Sequence, residues 1–163
     1  MSTDLRSFLE KEPTALAPYA ALLELSDEGL DRPTAADSPA HGWSGRDVLG
    51  HVAAWVEHAL AVARELAATG ESPTRTEMDA RWDAGEGDAV NDELLAAWRS
   101  LPMDEVRRRF TATPEALRAA LAGVRGGRWT GDPDLLDFFR SETIEHYATH
   151  LPDLAEALRQ AGR

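Results

Sequence analysis

Histidine is the residue type to follow in this chain. Five are present, at 41, 51, 58, 146 and 150, and two of them form His146-x-x-x-His150. Residues four apart on a helix lie one turn apart on the same face, so both imidazoles can converge on one ion. The pair alone is weak evidence, because it lacks the glutamate of the HExxH metal motif. Two surface or capping histidines would give the same spacing. His51 changes the weighing. It falls in a stripe formed by Val48, Val52, Trp55, Ala59 and Val62 at three- and four-residue spacing, where an aliphatic side chain is the usual occupant. An imidazole in such a stripe needs partners for its ring nitrogens. Two readings stand: a core histidine with satisfied nitrogens, or the third imidazole of a metal site with open positions for water or substrate. His58, two turns beyond His51, is expected to be exposed, and His41 is expected in a loop.

Other chemistries are narrowed by composition. The chain has no cysteine, which removes disulfides, thiolate metal sites and cysteine nucleophiles. No serine occupies a GxSxG elbow. Any nucleophile must therefore come from a metal-bound group or a bound ligand. Against 17 Lys and Arg stand 29 Asp and Glu, a formal net charge of -12. That sign disfavours nucleic acid and anionic membrane surfaces as partners. Arg107, Arg108 and Arg109 are the basic cluster, but consecutive helical residues spread around the helix rather than forming one face. They read as ion-pair partners for an acidic surface. The opening MSTDLRSFLEKEP has no apolar signal core, and no apolar run is long enough for a membrane span. A cytoplasmic protein is expected.

The elements that must position the histidines are helical throughout. With 163 residues, 43% of them hydrophobic, the chain suits a single domain over 1–163 with a real core. A first helical region covers roughly 3–25 and is interrupted by Pro13 and Pro18. Residues 26–42, rich in Asp, Pro, Ser and Gly, read as a long connection. Ser44 caps the second helix with Asp47 three residues on, an acidic form of the capping box, and Gly70 ends it. A helical turn is expected around 76–82. A third region covers 91–124, with a break near Leu101-Pro102 and a kink at Pro114, and Gly126-Gly127 closes it. The fourth helix starts with Asp132 as N-cap and Pro133 at the first position. Pro152 should kink it or end its first section. Four amphipathic helices and no strands point to a four-helix bundle.

Two stretches in particular make these residues familiar. GWSGRDVLGHVAAWVEHAL (42–60) and ETIEHYATHLPDL (142–154) resemble the W-x-x-x-D-V-L-x-H-x-x-x-W and E-H-Y-x-x-H patterns of the DinB-like superfamily. That group includes DinB/YfiT proteins, mycothiol-dependent maleylpyruvate isomerases and the ClbS/DfsB proteins. DARWDAGEGDAVNDELLAAW (79–98) leans toward the ClbS/DfsB side.

The resemblance implies a bundle with up-down-down-up topology and a divalent metal, zinc or nickel, held by His51, His146 and His150. It implies either a metal-dependent thiol transferase or hydrolase acting on a small electrophilic metabolite, with a low-molecular-weight thiol as a candidate cofactor, or a self-protection protein that binds a metabolite without turnover. A homodimer is compatible with this fold type. Trp55 and Tyr147 are expected to flank the pocket, and Arg81 to grip a substrate carboxylate. Glu142, one turn before His146, is the candidate carboxylate for orienting a metal-bound imidazole, with Glu145 and Asp47 as alternatives. For each of these acids a solvated acidic face is the plainer reading. The remaining tryptophans, Trp43 among them, are as readily core residues as pocket residues.

Overall fold

Ser44 opens the longest helix, and the cap is reciprocal. The Ser44 N–H donates to Asp47 Oδ2 at 3.1 Å, and the Asp47 N–H donates to Ser44 Oγ at 3.2 Å. The helix runs over Gly45–Ala68 and stops where Gly70 takes a left-handed φ of 90°. The computed structural model describes residues 2–125 and 134–163. Among these residues all regular elements are helices, beside one isolated bridge between Pro33 and Ser44. The expected cap at Asp132 and Pro133, the Gly126-Gly127 stop and Trp129 lie outside the described residues.

In chain order the helices are α1 (Thr3–Leu16), a 3-10 turn (Ala17–Tyr19), α2 (Ala20–Leu23), α3 (Asp27–Asp31), α4 (Gly45–Ala68), α5 (Pro73–Asp83), α6 (Gly87–Arg99) and α7 (Met103–Gly123). After the undescribed segment come α8 (Leu135–Arg140), a π turn (Ser141–Glu145), α9 (His146–Thr149) and α10 (Leu151–Gln160). The break at Leu101-Pro102 falls where the sequence put it. The interruption at Pro13 does not occur, since that residue lies inside α1; Pro114 lies inside α7, and Pro18 falls in the 3-10 turn that follows α1. A proline inside a helix costs about 3 kcal/mol, and here buried residues of the same helix oppose that cost. Leu5, Phe8 and Glu12 anchor α1, while Phe110, Leu117 and Leu121 anchor α7. The long connection at 26–42 also contains a short helix, α3, capped by Ser26.

Helix α4 lies against α7 and α6 along its length and also meets α3, α5 and α10. Its histidine-bearing face is therefore an interior face. Gly50 lets α6 come close, since a Cβ there would sit 2.8 Å from the Cβ of Trp98. On the other side of the core a buried polar knot ties α1, α7 and α9 together. Glu12 is fully buried, pairs with Arg118 and accepts a hydrogen bond from the Tyr147 hydroxyl at 2.8 Å. The Tyr19 hydroxyl donates to the Tyr147 carbonyl at 2.7 Å. Arg107, Arg108 and Arg109 pair with Asp27, Glu105 and Glu57 respectively.

Candidate metal centre

Two helices deliver three imidazoles to one point. His51 comes from the second turn of α4. His146 opens α9, directly after the π turn, and His150 closes it in a non-helical conformation with φ -94° and ψ 9°. Pro152 in the first turn of α10 cannot continue the hydrogen-bond ladder, so the chain restarts at Leu151. The break leaves His150 beside the other two rings. Ring centroids are 4.9 Å apart for His51–His146 and 4.6 Å for both pairs that include His150.

The donor atoms are well placed for a small cation. One ligand nitrogen from each ring lies within 4.8 Å of the other two, and His51 Nε2 faces His146 Nε2 at 3.1 Å. Tetrahedral zinc with imidazole ligands holds its donor nitrogens about 3.3 Å apart, so the closest pair already matches. His150 Nδ1 lies 2.6 Å from Asp153 Oδ2. This contact fixes the tautomer and leaves Nε2 as the free donor of that ring. Burial, reinforced by His150, holds His51 down at about 4. His146 is held at about 3 by burial and its two histidine neighbours. Both rings are therefore neutral at neutral pH and keep a lone pair to offer. The Nδ1 atoms of His51 and His146 are buried with no hydrogen-bond partner among the described residues. Buried polar atoms of that kind are costly in a site built only for packing.

A cavity of about 1050 Å³ opens from the histidines. Trp43 roofs the cluster, 4.9 Å from His51 and stacked at 5.9 Å on His150. Trp55 stands edge-on to His146 at 6.2 Å, with its indole N–H donated to Asn91 Oδ1 at 3.1 Å. Glu142, on the π turn, also lines the cavity. Burial and the field of Asp79 push its carboxyl up to about 7.

Several side chains lie elsewhere than the sequence suggested. Tyr147 is fully buried but does not line the cavity; it points into the core toward Glu12 and Tyr19. It directly follows His146, and the offset of about 100° per residue turns it away from the cavity. Arg81 does not line the cavity either. Its guanidinium is held by Glu86 and by both oxygens of Glu93, each contact at 2.9 Å. His58 is buried, not exposed: only 8% of its surface is accessible, because Trp55 and Phe138 cover it at 5.7 and 5.9 Å. The carboxylate that reaches an imidazole is that of Asp153; Asp47 serves the α4 cap and Arg99. Asp153 stands three residues after His150, on the same side of a helical turn, and that spacing was its only signal in the sequence. Trp43 is a site residue for a related reason, as it sits immediately before the cap that aims α4.

The all-helical architecture of the described residues and the histidine cluster agree with a family match. A family model described as the DinB superfamily matches residues 9–153, and the chain belongs to that superfamily. No curated protein and no solved structure matches it.

Proposed function

We propose that this protein is a metal-dependent enzyme in which His51, His146 and His150 hold zinc or nickel. Its reaction is thiol transfer or hydrolysis on a small electrophilic metabolite. The observation that carries the reading is the convergence of three neutral imidazole donors within 4.8 Å at the end of a cavity. When bound, such a metal polarises an electrophile or lowers the pKa of a coordinated water or thiol. The chain's own residues supply the rest. Asp153 orients His150 through Nδ1, burial keeps His51 and His146 unprotonated, and Trp43 limits water above the cluster. With no cysteine in the chain, a thiol nucleophile must come from a low-molecular-weight cofactor.

This reading includes a four-helix bundle in which α1, α4, α7 and the α8–α10 run alternate up, down, down, up as one domain over 1–163. It also includes a cytoplasmic location and a small-molecule partner rather than nucleic acid or membrane. No helix among the described residues is long and apolar enough to cross a membrane. A homodimer fits the bundle. A second reading, a ClbS/DfsB-like self-protection protein that binds its metabolite without metal-dependent turnover, is favoured by the size of the cavity.

Elemental analysis of untagged protein, prepared without chelator or immobilised nickel, separates the two. About one zinc or nickel per chain, absent from the His146→Ala/His150→Ala variant, supports the enzyme. Protein that carries no metal and refuses added zinc and nickel sinks it.

A further inference from the structure

The far end of the cavity has a chemistry of its own. Trp55 and Trp82 meet edge-to-face at 5.6 Å, and Trp55 and Phe138 flank His58. Trp82 is half exposed, so part of its indole surface is open to a ligand. Carboxylates surround this aromatic wall. Asp79 and Asp83 lie four apart on α5, Asp88 and Asp92 four apart on α6, and all four line the cavity with Glu142. Like charges at that spacing cost each helix a few tenths of a kcal/mol. Asp79 has Arg75 at 3.7 Å, whereas Asp83, Asp88 and Asp92 enter no ion pair among the described residues. Among the described residues the lining contains no Lys or Arg, although the Arg75 guanidinium stands over the Phe138 ring, 4.9 Å from its centroid.

His58 is an independent pointer. It is more than nine-tenths buried, lines the same cavity and makes no hydrogen bond among the described residues. Burial disfavours its protonation, so it presents an unused lone pair. Its ring faces the cavity, where an imidazole nitrogen can accept a ligand N–H.

We propose that this cavity binds a protonated organic amine, with its ammonium group against Trp55 and Trp82, donating an N–H to His58 under the field of the surrounding aspartates. Aromatic faces and carboxylates attract the same cation. The wall repels the carboxylate substrate that Arg81 was expected to hold. The proposal deepens the reading above by naming the substrate class of the same cavity: an electrophile that carries an amine, its reacting centre toward the three histidines.

Calorimetric titration with 2-phenylethylammonium, 2-phenylethanol and 3-phenylpropionate tests it on one ring with three charges. The ammonium should bind at least about tenfold more tightly than the alcohol, and the carboxylate least. Trp82→Ala, the surface variant Asp83→Asn/Asp88→Asn/Asp92→Asn, and His58→Leu should each weaken the ammonium about fivefold or more. Alcohol binding should stay within about twofold for the aspartate variant. Ammonium binding no tighter than the alcohol, or carboxylate binding as tight, overturns the proposal. Running the series on protein of measured metal content, before and after chelation, keeps the two readings apart. A preference for the ammonium in protein that takes up no metal upholds this proposal and sinks the metal reading. One metal per chain without that preference does the reverse.

Discussion

Asp153 Oδ2 lies 2.6 Å from His150 Nδ1, across the break that Pro152 imposes on the C-terminal helix. The contact joins the last histidine of the cluster to the first turn of α10. It also decides which nitrogen of His150 faces the other two rings.

Asp153→Asn should therefore weaken zinc about 10- to 100-fold, the usual cost of losing a carboxylate behind a metal-bound imidazole. Competition with a chromophoric chelator measures it. Unchanged affinity in a folded variant would show that His150 is oriented by packing alone.

The metal-free protein should lose stability as pH falls from about 6.5 toward 4. Unfolded His51 and His146 take a proton near 6.5, while the folded state refuses it until about 4 and about 3. Through that window the unfolded chain binds more protons, so acid favours unfolding. Urea midpoints of chelated protein at several pH values should follow this slope, and His51→Leu should flatten it.

Glu142 acts in the opposite sense. Its folded carboxyl titrates near 7 against an ordinary 4.5, so its burial is tolerated at low pH and costs stability as pH rises through 7. Glu142→Gln should raise the melting temperature of metal-free protein at about pH 8 and leave it nearly unchanged at about pH 5. An equal gain at both values would mean that the group titrates normally.

Gly50→Ala tests the approach of α4 to α6. Its new methyl would meet Trp98 Cβ at 2.8 Å, and overpacking of this kind costs about 1–3 kcal/mol. Chemical denaturation gives the value directly. A neutral result would mean that α6 shifts freely, and the cavity wall with it.

Much of the site was legible because its determinants are local. The Ser44/Asp47 cap, the Gly70 stop and the His146/His150 spacing are each written within a few consecutive residues, and they fixed where the imidazoles start. His51 stood out as the polar member of an apolar stripe. What escaped the sequence depends on tertiary partners. His58 seemed free only because its cover, Trp55 and Phe138, comes partly from a helix 80 residues away. Tyr147 adjoins a pocket residue in the sequence, yet it answers to Glu12, 135 residues distant. Arg81 looked available until α6 brought Glu93 to it. Pro13 and Pro114 break helices in isolation, and here the core holds those helices through them.

The π turn at Ser141–Glu145 has a consequence for how such a site is inherited. A π turn accommodates one residue more than an α turn and so resets the phase of everything after it. His146 and His150 face His51 in that reset phase. A single-residue deletion in the turn would swing the pair by about 100° while leaving all three histidines in the sequence. The site is thus written in chain length as much as in residue type. A relative could keep every ligand by sequence alignment and still have lost the centre.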